Sequence, residues 1–185
     1  FLFILAAIIK AVDEYQDMLR LVVATLGNDH RLGANEAPPA IISMFLGTEL
    51  EKVMDAIVAN KPYVPTDAKI MALSGNFIPH FLQDNTDRNR TSPMAFTGNK
   101  FEFRMVGASQ SIGLPNAIIN AVVADTLRVF ADRLEPHAAK DPEVREAAVN
   151  ALIAEYYEAH RRIVFNGNNY THEWVEEAAR RGLPN

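Results

Sequence analysis

The stretch Asp87-Arg-Asn-Arg-Thr-Ser-Pro-Met-Ala-Phe-Thr-Gly-Asn-Lys-Phe-Glu-Phe-Arg-Met105 gathers the side chains with the most chemistry to offer. Arg88, Arg90, Lys100, Glu102 and Arg104 suit the handling of phosphate and carboxylate groups. Lys100 to Met105 alternates and predicts a short strand. Phe101, Phe103 and Met105 fall on one face, and Lys100, Glu102 and Arg104 on the other. Any solvated strand can alternate in this way. The distinguishing feature is a carboxylate set between two cations, with two further arginines just upstream. Such a set can neutralise a metal-bound, highly anionic substrate from several sides.

A second segment, Gly27-Asn-Asp-His-Arg-Leu-Gly-Ala-Asn-Glu-Ala-Pro-Pro-Ala40, reads as a loop from its Gly, Asn, Asp and paired Pro. It carries one arginine, Arg31, and one carboxylate, Glu36, on either side of Gly33. The two segments together resemble the catalytic domain of glutamine synthetase, in particular the type III family. An Arg…Glu-Ala-Pro flap, an Arg-Asn-Arg element and a Glu-x-Arg strand occur here in the family's order. The C-terminal stretch from His160 to Pro184 is also similar to that family, so the resemblance covers nearly the whole chain.

The resemblance implies a role for each residue. Glu102 matches the glutamate that ligates Mg²⁺ or Mn²⁺ beside the nucleotide phosphates. Arg104 matches the arginine near the reacting carboxylate of glutamate, and Arg31 the one that holds the other carboxylate. Arg90 matches the arginine that stabilises the transferring phosphoryl group. Lys100 stands where many relatives carry a nucleotide-contacting arginine; it keeps the charge and loses the fork. Glu36 matches the flap glutamate that helps to deprotonate ammonium. Without the resemblance, each of these reads more simply as a surface ion pair or an exposed loop acid. The implied reaction is ligation of ammonia to L-glutamate through a γ-glutamyl phosphate, with ATP as co-substrate. The implied assembly is a cytoplasmic, homo-oligomeric ring with active sites between subunits. Two alternatives stand beside it: a ligase joining glutamate to a larger amine, and a non-catalytic assembly or regulatory homologue.

Composition sets wider bounds. The 185 residues are 49% hydrophobic and 22% charged, as expected of a folded domain. The net charge of −5 argues against a general nucleic-acid binder. With no cysteine, the chain has no disulfide framework and no thiolate metal site. The apolar run Phe1 to Ile9 is too short to span a bilayer, which takes about 20 residues. The chain starts without Met inside a helical pattern, so we expect a piece of a longer protein, incomplete at its N-terminus.

The elements that must position these groups suggest an α+β fold. Phe1 to Thr25 predicts a buried helix ended by Gly27, and Asn28 to Pro39 a loop. Ala40 to Leu46 fits a strand or a helix. Thr48 and Glu51 form a capping-box pattern ahead of a helix to Asn60. Lys61 to Arg90 is irregular, apart from a short strand at Lys69 to Leu73. Helices are predicted from Pro115 to about Glu135, from Asp141-Pro142 to about Phe165, and from Thr171 to Gly182. The resemblance adds an antiparallel active-site sheet and a type III-like insertion at about 45–82. The C-terminal region, about 114–182, is then helical. No residue pattern gives the five histidines metal-ligand spacing. Trp174 and the Tyr156-Tyr157 pair read as packing residues, and Asn166-Gly-Asn-Asn169 as a turn cluster.

Overall fold

The structure, a computed structural model, describes residues 1–33, 40–65 and 90–185, together with the strand backbone at 70–71 and 81–82. Its centre is α1 (Leu2–Glu14), where Leu5, Ala6, Ala7, Ile9 and Ala11 are fully buried. Helices α5 (Gly113–Leu134) and α6 (Pro142–His160) pack against it, and α4 (Thr48–Val58) packs on α6. A helix apolar on nearly every side is stable only when wrapped by others, and this one is.

The first helical stretch is not continuous. The backbone breaks at Tyr15 (φ −108°, ψ 21°), and α2 (Gln16–Leu21) follows. The Tyr15 hydroxyl donates to Asp125 on α5 at 2.7 Å, which ties the break to the core. The expected loop from Asn28 also begins as a helix. Thr25 caps α3 (Leu26–Arg31) by accepting from the Asn28 N–H at 3.3 Å, so Gly27 lies inside a helix instead of ending one.

The sheet is small and mixed. Strands β1 (Met44–Phe45), β4 (Met94–Phe96) and β5 (Phe101–Phe103) lie in the order β1–β4–β5. The pair β4–β5 is antiparallel, as expected, but β1 runs parallel to β4, so the sheet is not purely antiparallel. Val164 extends the parallel side by bridging Met44, with the Phe165 N–H donating to the Met44 carbonyl at 2.8 Å. A separate antiparallel pair joins β2 (Ile70–Met71), inside the predicted strand, to β3 (Phe81–Leu82).

Two further expectations change. The capping box at α4 does not form: Gly47, at φ +86°, is the N-cap, and Thr48 is already helical. Glu51 instead accepts from the side-chain amide of Asn166 at 2.5 Å. Helix α6 stops at His160. A 3₁₀ turn over Arg161–Ile163 redirects the chain to Val164 in the sheet. Helix α7 (His172–Arg180) starts as predicted, with the Thr171 hydroxyl accepting from Trp174 N–H. Trp174 is a packing residue: it is 1% exposed and its ring stacks on Phe165 at 3.9 Å.

His160 is not a free surface histidine. Its Nδ1 lies 2.8 Å from Oδ2 of the buried Asp13, whose Oδ1 accepts from Arg162 Nε at 2.8 Å. This cluster pins the end of α6 to α1. A buried carboxylate is tolerated where cationic or N–H partners satisfy both oxygens.

Candidate functional site

The site grows from β5. Its register places Phe101 opposite Phe96 and Phe103 opposite Met94, and these side chains pack towards the core. Glu102 faces the other way, opposite Ala95, which in turn pairs with Phe45 of β1. The alternation expected from the sequence is therefore realised.

On that outer face the carboxylate of Glu102 is clasped from both sides. Oε2 accepts from Arg104 Nε at 3.2 Å and Nη2 at 3.1 Å, while Oε1 lies 3.3 Å from Lys100 Nζ. The Arg104 hydrogen bonds, and after them Lys100, hold the Glu102 carboxyl below the usual glutamate range. Exposure rises outward, from 22% for the Arg104 side chain to 37% for Glu102 and 64% for Lys100. Arg104 is thus the inner cation and Lys100 the outer one. The Arg104 N–H donates to the Pro93 carbonyl at 2.8 Å, which continues the pairing one step past β5.

Arg31 reaches the same end of the strand from α3. Its Nη2 donates to the carbonyl of Met105 at 3.0 Å, the residue next to Arg104. Nε and Nη2 also donate to Oδ1 of Asn28, at 3.0 and 2.7 Å. Arg31 has no carboxylate partner among the described residues. The acceptors that fix it among the described residues are all neutral. A guanidinium held this way can receive a ligand carboxylate. Sequence reasoning assigned nothing to Asn28. Its only signal was a place in a Gly-Asn-Asp run, which composition reads as turn chemistry.

Arg90 is exposed and likewise has no carboxylate partner among the described residues. The chain immediately after it is anchored. Asn169 N–H donates to the Thr91 hydroxyl at 3.0 Å, and Asn169 Nδ2 donates to Ser43 Oγ at 2.6 Å. The Ser92 hydroxyl donates to the Met94 carbonyl at 2.7 Å. The turn cluster 166–169 therefore acts as a clasp. Asn166 Oδ1 accepts from the Leu46 and Gly47 N–H groups at 3.0 and 2.9 Å, and Asn169 fixes the strand entry beside Arg90. Glu36 and Arg88 lie outside the described residues.

In the charged cluster on β5, among the described residues, Glu102 is the side chain with an oxygen of the kind a divalent cation takes. Glu102 is anionic and partly open, which fits a single ligand to a hard metal ion. Among the described residues, no group of three or more acidic or histidine side chains is placed to hold a metal ion. A complete metal shell would therefore draw on groups beyond this set. An apolar cavity of about 290 Å³, lined by Ile8, Phe101, Phe103, Val106 and Ile119 among others, opens on the core face of β5. It lies on the opposite side of the strand from the charged cluster.

Residues 148–185 match the glutamine synthetase C-terminal domain. Over its whole length the chain is 46% identical to the type-3 glutamine synthetase of Dictyostelium discoideum, of which it covers 25%. It is also 46% identical to a glutamine synthetase of Butyrivibrio fibrisolvens and 42% identical to one of Bacteroides fragilis (strain YCH46), covering 26% of each. The similarity runs the whole length of the chain, which spans about a quarter of these curated relatives.

Proposed function

We propose that this chain, which is similar over its whole length to the type-3 glutamine synthetase of Dictyostelium discoideum, supplies the charge-handling part of the active site of an ATP-dependent glutamate–ammonia ligase. The observation that carries the reading is the convergence at β5. Arg104 clasps Glu102 on the strand, and Arg31 is fixed beside Met105 by acceptors that are neutral among the described residues.

In the first step a γ-carboxylate oxygen of glutamate attacks the γ-phosphorus of ATP, the bond to the ADP oxygen breaks, and γ-glutamyl phosphate forms. Ammonia then attacks the carbonyl carbon, inorganic phosphate leaves with the former carboxylate oxygen, and the surplus proton is lost. Both steps depend on placing anions against one another, so fixed cations contribute more than any covalent catalyst. Arg31 orients the substrate through its remote carboxylate, and Arg104 meets the reacting one. Arg90 stabilises charge on the phosphoryl group in flight, and Lys100 contacts the nucleotide. Glu36, on the flap, attracts ammonium and takes its proton. Glu102 would hold Mg²⁺ or Mn²⁺, which supplies charge neutralisation at the phosphates when bound. The full-length protein assembles as a cytoplasmic homo-oligomeric ring with its sites between subunits.

The test is an assay of the full-length protein with ATP, Mg²⁺, glutamate and either ammonium or methylamine. We expect glutamine from ammonium and little product from methylamine. Faster reaction with methylamine would favour the larger-amine ligase, and no product from either would favour a non-catalytic homologue.

A further inference from the structure

We propose that Asn28 is a positioning residue that aims the Arg31 guanidinium through a neutral acceptor, and so governs affinity for glutamate. This rests on the reading that Arg31 receives a carboxylate of that substrate.

Asn28 is 4% exposed, and its amide is fully used. Nδ2 donates to the carbonyls of Val23 at 2.7 Å and Met105 at 2.9 Å. Oδ1 accepts from Arg31 Nε and Nη2. The four contacts fix the orientation of the amide, because a flipped amide would set N–H against N–H and oxygen against carbonyl oxygen. Arg31 and Asn28 both donate to the Met105 carbonyl, so the guanidinium, the amide and the end of β5 form one unit.

The choice of a neutral acceptor matters. Away from this site, guanidiniums fixed within the fold are met by carboxylates: Arg162 by Asp13 and Arg181 by Glu177. Those pairs are self-neutralised. Asn28 supplies the same oxygen geometry without the charge, so this contact does not offset the attraction of Arg31 for an incoming carboxylate.

The surroundings leave this amide little freedom. A Cβ at Gly107 would lie 3.2 Å from Asn28 Oδ1, so only glycine allows the chain to pass that close without pushing the amide. The Gly107 N–H donates to Gln110 Oε1 at 2.8 Å, and Gln110 Nε2 donates to the Thr25 hydroxyl that caps α3. The ring Thr25–Asn28–Met105–Gly107–Gln110 is closed by hydrogen bonds and close packing.

The experiment is steady-state kinetics on the full-length enzyme. Arg31→Ala should raise KM for glutamate. Asn28→Ala should raise it about ten- to a hundredfold, the range for losing hydrogen bonds to a charged group, with KM for ATP unchanged. Asn28→Asp keeps the shape but neutralises Arg31, and should also raise KM for glutamate. In the Arg31→Ala background, Asn28→Ala should add nothing further to that KM. If Asn28→Ala does not fold, Gly107→Ala should give a smaller rise of the same kind by displacing the amide. A raised KM in Arg31→Ala with an unchanged KM in every folded Asn28 and Gly107 variant would overturn this inference alone. Additive effects in the double variant would do the same. An unchanged KM in Arg31→Ala would overturn the underlying reading, and this inference with it.

Discussion

Arg31 donates from Nη2 to the carbonyl oxygen of Met105 at 3.0 Å, across 74 residues of chain. Met105 directly follows Arg104, so this one bond fixes the spacing between the cation at the end of α3 and the cation at the end of β5. Under the proposed function, a fixed pair of this kind would orient the two carboxylates of glutamate without losing that orientation to side-chain motion.

Glu102→Gln in the full-length protein removes an anionic oxygen but keeps the shape. We expect a lower kcat and a Mg²⁺ titration shifted to higher concentration. Wild-type activity with an unchanged titration would leave Glu102 as a partner of Arg104 and Lys100 only.

The same carboxyl should show its environment directly. Its pKa in the folded chain is lowered, by Arg104 first and Lys100 second. A lowered folded pKa adds stability above the ordinary glutamate range, and that stability is lost as pH falls through the folded value. Carbon-13 NMR of the Glu102 side-chain carboxyl should give a midpoint below the ordinary 4.5. Arg104→Met should raise the midpoint more than Lys100→Met. A midpoint at 4.5 in the wild type would mean that the clasp is not populated in solution.

A side chain at Gly167 should cost stability. A Cβ there would lie 2.5 Å from the Phe165 ring, which stacks on the buried Trp174 beneath Arg181. Forcing an atom into a filled space costs about 1–3 kcal/mol. Urea unfolding of Gly167→Ala should show a loss of that size, and an unchanged midpoint would mean that the Phe165 ring moves aside freely.

Much of this was legible in the sequence because it rests on short-range rules. Period two in Lys100–Met105 gave the face of Glu102, and Pro142 and Thr171 marked helix starts by local capping chemistry. What escaped depends on distant partners. Glu51 looked like a capping acid because the Asn166 amide that claims it lies 115 residues away. Nothing local pointed to the partner of His160, because Asp13 lies 147 residues away. The parallel pairing of β1 with β4 has no local signature, since direction is set by how the intervening chain returns. Asn28 was hidden for the same reason: its carbonyl partner at Met105 comes from another element.

The central claim is transfer of phosphoryl to a glutamate carboxylate before the amide forms, and oxygen labelling tests it most directly. The full-length protein would be supplied with glutamate carrying oxygen-18 in the γ-carboxylate, with ATP, Mg²⁺ and ammonium. Attack by that carboxylate on the γ-phosphorus, followed by ammonia at carbon, leaves one labelled oxygen on each inorganic phosphate released. We expect one oxygen-18 in phosphate for each glutamine formed. Glutamine accompanied by unlabelled phosphate would contradict the acyl phosphate route and the roles given to Arg90, Glu102 and Arg104.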